Sequence, residues 1–316
     1  MLIQNFCSSP PAQLLSSKGV LAVMPLTKHC EPSTVGLIES GVCSVGSQQQ
    51  SEVWLVEGEV TRGVVSGELG VNHWSKAEGV ICVAHWLSEA QCSDLEVSVC
   101  NAYLSIFSVL EEHQLCHPFR FWNYLPNINA GVGDEETYKR FCTGRLRAFN
   151  ALGIKSEGFP SASALGHHSQ GAVIYAFASA AKPVNLNNNK QVDAYNYPRQ
   201  YGITSPSFTR ATSLELFGES YLFISGTASI VGHETVEVGS LERQLEVTLS
   251  NIKHILETAN PKKKKLSTFK VYLRHAEDLL QTSAWLTLHY PYVDTIITLA
   301  DICRSDLLVE IECFCK

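Results

Sequence analysis

The chain has 316 residues, 45% hydrophobic and 17% charged; this globular composition excludes a disordered chain and is long enough for two packed domains. A formal net charge of −7 argues against nucleic acid as a partner, because phosphate contacts need clustered Lys and Arg. The basic run Lys262–Lys265 has no interleaved aromatics and reads as a solvated loop. The 11 cysteines sit mostly one at a time in apolar stretches, as at Cys82, Cys100 and Cys142, and read as small buried hydrophobes. Cys313 and Cys315 are two thiols where a structural zinc needs four ligands, so no metal is expected. The opening MLIQNFCSSPPAQLL lacks the basic start and apolar core of a signal peptide. No run of about 18 apolar residues offers a membrane span. A reducing cytoplasm is the expected compartment.

In chain order, Glu52–Val60 and Val80–Leu87 are rich in β-branched and aromatic residues and read as strands. Asp94–Glu112 places Val99, Tyr103, Ile106 and Leu110 at helical spacing. Phe119–Leu125 reads as a strand stopped by Pro126. Glu135–Leu152 reads as a second helix, with Tyr138, Phe141 and Phe149 on one side. Gly158-Phe159-Pro160 then breaks the chain, and the reading divides it into domains 1–155 and 156–316.

The second half opens with a strand at Ala172–Ala178. A long polar tract follows, PVNLNNNKQVDAYNYPRQYGITSPSF, and loops of that length are uncommon unless they serve a site. Next come a strand at Tyr221–Ser225 and a helix at Ser240–Thr258, striped by Leu241, Leu245, Leu249, Ile252 and Leu256, with Ser240 as a candidate cap. A strand near Phe269–Arg274, a helix near Asp278–Leu288, a strand near Thr295–Ala300 and a last strand at Leu307–Glu312 complete the order. The fold class is α/β, with mixed sheets.

Strand alternation in LLVEIE puts Leu308, Glu310 and Glu312 on one face. These carboxylates either face water or include a buried acid with a raised pKa, suited to proton donation. The long loop gathers Tyr195, Tyr197, Arg199, Tyr201 and Arg210. Arg forks onto carboxylates and Tyr adds a hydroxyl and a ring face, so the group suits a small, planar, carboxylated ligand; the alternative is a surface loop packed on the sheet. Arg274 ends the strand KVYLR and is another cation at a strand terminus. His167, His168 and His233 read as loop histidines. No P-loop, strand-borne GxGxxG or HExxH is present, which favours chemistry carried by side chains alone, with no cofactor.

From about Ser205 to Glu312, the strings LFISGTASIVG, QLEVTLSNIKHILE and LLVEIE resemble the small imine deaminases of the RidA/YjgF family. Where that family carries a carboxylate-holding arginine, this chain has Asp294-Thr295, which counts against simple imine deamination. The whole chain is similar to the chorismatases, through FRFWNYLPNIN, YKRFCTGRLRAF, YPRQYG, SPSFTRAT, LFISGTASIVGHET and ADICRSDLLVEIE. That resemblance implies two RidA/YjgF-like halves, the first degenerate. It also implies cleavage of chorismate, a small-molecule substrate, into pyruvate and a ring acid, with no cofactor. Glu310 matches the family's catalytic acid, and Cys303, seven positions earlier, matches a pocket residue.

Chorismate is a dianion, so fixed cations are needed, and Arg199, Arg210 and Arg274 are the candidates, with Tyr201 beside them. Ala228 and Cys303 are the candidates for residues beside the ring that decide the product. In the resemblance the thiol of Cys303 matches the hydroxybenzoate-forming members, which implies 3-hydroxybenzoate, with or without 4-hydroxybenzoate, over the hydrolytic diene diol. A non-catalytic binder of small carboxylates is the alternative from another class. A two-half chain covers part of the subunit interface internally, so a monomer or small homo-oligomer is expected.

Overall fold

A computed structural model describes residues 1–45, 50–57, 63–259 and 265–316. The end of the strand read over Glu52–Val60 and Lys262–Lys264 of the basic run lie outside the described residues. Two seven-stranded mixed sheets carry the architecture. The first runs, edge to edge, through Asp301–Ile302, Ser161–His167, His117–Pro126, Ala172–Ser179, Val80–Leu87, Asn72–Ala77 and Val65–Leu69. The second runs through Val184–Leu186, Ala211–Leu216, Glu219–Ala228, Val309–Cys315, Leu266–Leu273, Asp294–Leu299 and Cys43–Ser44.

The two orders correspond strand for strand. Each half begins with an antiparallel meander, continues through a helix, a strand, a second helix and a parallel neighbour strand, and closes with a strand inserted in mid-sheet. Each sheet is completed at that far edge by a short strand from outside its own half: Asp301–Ile302 pairs with Ser161–His167, and Cys43–Ser44 pairs with Asp294–Leu299. Ser161–His167 and Ala172–Ser179, read from the sequence as part of the second half, complete the first sheet instead. A continuous apolar strand has no period to show which sheet it enters, and only pairing decides it.

Alternation along the strands sorts side chains into three layers. Ile81, Val83, Phe121 and Ile174 face the helices Leu95–Glu112 and Thr137–Ala151. Gly144 lets those two helices approach, since a β-carbon there would press on Glu96 and Val99 of the first. Leu222, Ile224, Val271, Val309 and Ile311 face the helices Leu241–Thr258 and Leu279–His289. Ser240 takes the N-cap position of the former, but its side chain makes no capping bond.

Between the sheets lies an aromatic layer. Trp122 stacks on Tyr175 at 4.8 Å, and Trp54 meets Phe177 edge-on at 5.1 Å. Trp54 belongs to a three-stranded sheet, Leu2–Cys7, Ser51–Val56 and Val20–Pro25, packed on this layer. Two buried ion pairs thread it. Lys270 Nζ meets Glu52 Oε2 at 2.6 Å, and Arg120 Nη2 meets Glu312 Oε2 at 2.5 Å. Further donors complete them: Gln4 and Trp54 donate to Glu52, and Trp122 and Ser163 donate to Glu312. Buried charges persist only when paired and hydrogen-bonded in this way.

Candidate active site

Glu310 and Glu312 share the inward face of the closing strand Val309–Cys315, and both are buried. Glu312 is consumed by Arg120, Trp122 and Ser163. Glu310, 5% exposed, makes no hydrogen bond among the described residues and reaches the floor of a cavity of about 570 Å³ between the halves. Burial, reinforced by the Glu312 charge, pushes its pKa up to about 8 against the pull of Arg120, Arg210 and Arg274. A carboxyl in that state is protonated at neutral pH and can donate its proton. Gly226, on the neighbouring strand, makes room for it: a β-carbon there would overlap the Glu310 carboxyl.

The first half supplies Tyr138 and Lys139 to the cavity wall, and the second supplies Tyr201, Arg210, Ala228, Cys303 and Arg304. Five of the seven residues singled out from the sequence therefore converge: Glu310, Tyr201, Arg210, Ala228 and Cys303. Arg210 is 4% exposed and donates to Val192 O and Tyr197 OH, and its Nε is buried without a partner. Cys303 is raised to about 12 by burial and the Glu310 charge, so it is a thiol and not a thiolate.

The other two stand outside the lining. The side chain of Arg199 is 64% exposed and makes a bidentate pair with Asp134, at 3.0 and 2.6 Å. Arg274 spends its donors on Leu307 O, Asn129 Oδ1, Asp301 Oδ1, Ile302 O and Arg304 O. It is a clamp on the loop that carries Cys303 and Arg304, with no donor left for a ligand.

Arg304 is the cation that sequence reading passed over. Its guanidinium lies 3.9 Å from the Tyr201 ring centroid and 5.3 Å from that of Tyr197, and Nη1 donates to His233 O. The only signal in the chain is adjacency to Cys303; its stacking partners lie about a hundred residues earlier. Arg210 and Arg304 bring cations to the cavity, Lys139 is paired with Glu136, Glu234 and Asp306 also line the wall, and Tyr197, Tyr201 and Phe208 give it ring faces. The arrangement suits a planar carboxylate with a reacting atom above Glu310. Among the described residues no group of three or more His, Cys, Asp or Glu side chains could hold a metal. Among the described residues no helix is long and apolar enough to cross a membrane.

Known proteins share this framework. Residues 52–178 match the family model described as Chorismatase FkbO/Hyg5-like, N-terminal. A 3-hydroxybenzoate synthase of Streptomyces hygroscopicus is 30% identical over 315 residues, covering 93% of this chain and 91% of the relative. A chorismatase of Streptomyces rapamycinicus is 37% identical over 224 residues, covering 66% and 67%. The crystal structure of a chorismatase superposes with a TM-score of 0.85 at 27% identity, covering 100% of this chain and 98% of that one. With similarity running through both halves and the closing strand, the chain belongs to the chorismatase family.

Proposed function

We propose that the chain cleaves the enolpyruvyl ether of chorismate, releasing pyruvate and a ring acid, with Glu310 as the proton donor. The observation that carries this reading is Glu310 itself: a buried carboxyl without a hydrogen bond among the described residues, raised to about 8, on the floor of a ring-lined cavity that Arg210 and Arg304 also face. Arg210 and Arg304 hold the carboxylates, and Tyr201 and Ala228 flank the ring. Glu310 gives its proton to the terminal methylene carbon. The double-bond electrons form the new C–H bond, and the ether oxygen shares the resulting positive charge as an oxocarbenium ion.

Two outcomes follow. Water adds to the cationic carbon, and the hemiketal collapses to pyruvate and a diene diol. Alternatively the neighbouring ring hydroxyl adds, losing its proton; a ring C–H proton then leaves as one ring C–O bond breaks, the freed oxygen closes to the ketone of pyruvate as the bond from that carbon to the remaining ring oxygen breaks, and the phenoxide takes a proton to give 3- or 4-hydroxybenzoate. In that route two protons enter, at the methyl and the phenol, and two leave, so pyruvate and the hydroxybenzoate hold all the atoms of chorismate. The Cys303 thiol beside Glu310 fills space that water would need, and the relative named 3-hydroxybenzoate synthase fits the same choice. We therefore assign 3-hydroxybenzoate as the main ring product.

The test is purified protein with chorismate, pyruvate release being followed by lactate dehydrogenase and the ring product by chromatography. Pyruvate with 3-hydroxybenzoate is expected. A diene diol as the sole ring product would overturn the assignment, and absence of pyruvate would leave a non-catalytic carboxylate binder.

A further inference from the structure

On the far side of the long polar loop lies a second hollow, a groove of about 530 Å³ that shares no lining residue with the main cavity. The loop divides them: Tyr197, Tyr201 and Pro206 line the cavity, while Tyr195, Ile203 and Ser207 line the groove. The opposite wall is the last turn of the helix Thr137–Ala151 and the chain that follows it to Phe159. Phe159 and Tyr195 meet edge-on at 5.9 Å, and Ile154 and Ile203 add apolar surface. Ser207 is 1% exposed, yet its Oγ has no hydrogen-bond partner among the described residues. A buried hydroxyl left idle is costly unless a ligand meets it. Lys155, exposed, is the one charged side chain of the lining among the described residues. The helix's last carbonyls do not oppose an anion beside it: those of Ala148, Phe149 and Asn150 accept from the N–H groups of Leu152, Ile154 and Gly153.

We propose that this groove is a second binding site, one that takes a small aromatic monocarboxylate, the class to which the hydroxybenzoate product belongs. The choice of that product as the ligand rests on the function proposed above. Rings and branched aliphatic side chains suit an aromatic ring. Charge then separates the two sites. The cavity offers two arginines and suits a dianion, whereas the groove offers one ammonium and suits a monoanion. Chorismate in the groove would bring a second carboxylate with no cation to meet it. Lys155 is exposed and Ser207 is buried, so a ring that turns its carboxylate toward water and its hydroxyl inward satisfies both. Cleavage thus converts a ligand for the cavity into a ligand for the groove behind the loop.

Equilibrium dialysis of the full chain against 3-hydroxybenzoate tests this. Two bound molecules per chain are expected, one in the cavity and one in the groove. Lys155→Met combined with Ser207→Ala should weaken one of them roughly 3- to 70-fold, as for one exposed charge and one neutral hydrogen bond, and leave the other unchanged. Arg304→Met should weaken the other instead. Each single groove variant serves if the double variant does not fold. Pyruvate release from chorismate should stay at the wild-type rate in the groove variants, since neither side chain lines the cavity. The neutral analogue 3-hydroxybenzyl alcohol should bind the groove more weakly than the acid and be indifferent to Lys155→Met. A single bound molecule in wild type, two that the double variant leaves untouched, equal weakening of both, slowed pyruvate release, or an alcohol that binds the groove as tightly as the acid would each overturn the site. Two-site binding with one site weakened by these substitutions, in a protein that forms no pyruvate, would keep the groove and remove the proposed reaction; pyruvate release with one bound molecule would do the opposite.

Discussion

The closing strands of the two halves occupy the same place in the same strand order, and they carry opposite chemistry. In the first half, Ala172–Ser179 turns Val173, Tyr175 and Phe177 toward the other sheet. In the second, Val309–Cys315 turns Glu310, Glu312 and Phe314 inward. The first strand is aromatic and apolar and serves only to pack; the second carries an ion-paired carboxylate next to an unpaired one. Topology thus builds two mid-sheet strands able to face the interface, and side chains on one face decide which becomes a site. The paired carboxylate helps make the unpaired one useful, because the Glu312 charge joins burial in holding the Glu310 proton.

The largest effect that sharpens this contrast is at Glu310 itself. Glu310→Gln, nearly isosteric, is expected to lower pyruvate release by about 10²- to 10⁴-fold, the range for a general acid, with an unchanged circular dichroism spectrum. A variant that keeps the wild-type rate would make the two closing strands chemically equivalent. Next comes Glu312→Gln. It leaves Arg120 as a buried unpaired charge and is expected to cost about 3–5 kcal/mol in denaturant unfolding. Loss of the Glu312 charge also lowers the Glu310 pKa, so the alkaline fall in activity should move to lower pH. Tyr175→Phe, at the matching strand of the first half, removes a hydroxyl that donates to Met24 Sδ, and should cost less than about 1.5 kcal/mol.

Much of this scaffold was legible in the chain. Val80–Leu87, Leu95–Glu112 and Leu241–Thr258 follow from composition and helical spacing and stand within a residue or so of their expected bounds. Leu2–Cys7, Val20–Pro25 and Asn72–Ala77 were not read, because short strands with mixed faces carry little period. Glu310 was legible through alternation and family resemblance, whereas its burial depended on a sheet from the other half. Arg145 is one of three arginines in YKRFCTGRLRAF, and only tertiary packing separates it, buried, from half-buried Arg140 and exposed Arg147. Arg199 stands among tyrosines in sequence; in space its partner is Asp134, in the short 3-10 helix Gly133–Glu135 of the first half.

Smaller effects separate the cavity cations from the outer ones. Arg304→Met should raise KM for chorismate roughly 10- to 150-fold, with a lesser change in kcat. Arg199→Ala removes an exposed pair and should leave both constants within about twofold, as such pairs contribute little. A large KM effect at Arg199 with none at Arg304 would move the carboxylate site out of the cavity.

The most direct test is the pH dependence of pyruvate release from chorismate, wild type beside Glu310→Gln. The acid must be protonated to act, and its pKa is raised to about 8, so activity should hold through neutral pH and fall as pH rises through that value. Glu310→Gln should show only background at every pH. Release that persists undiminished well above that midpoint, or a fall already complete in the ordinary carboxylate range, would contradict a buried, neutral Glu310 as the proton donor.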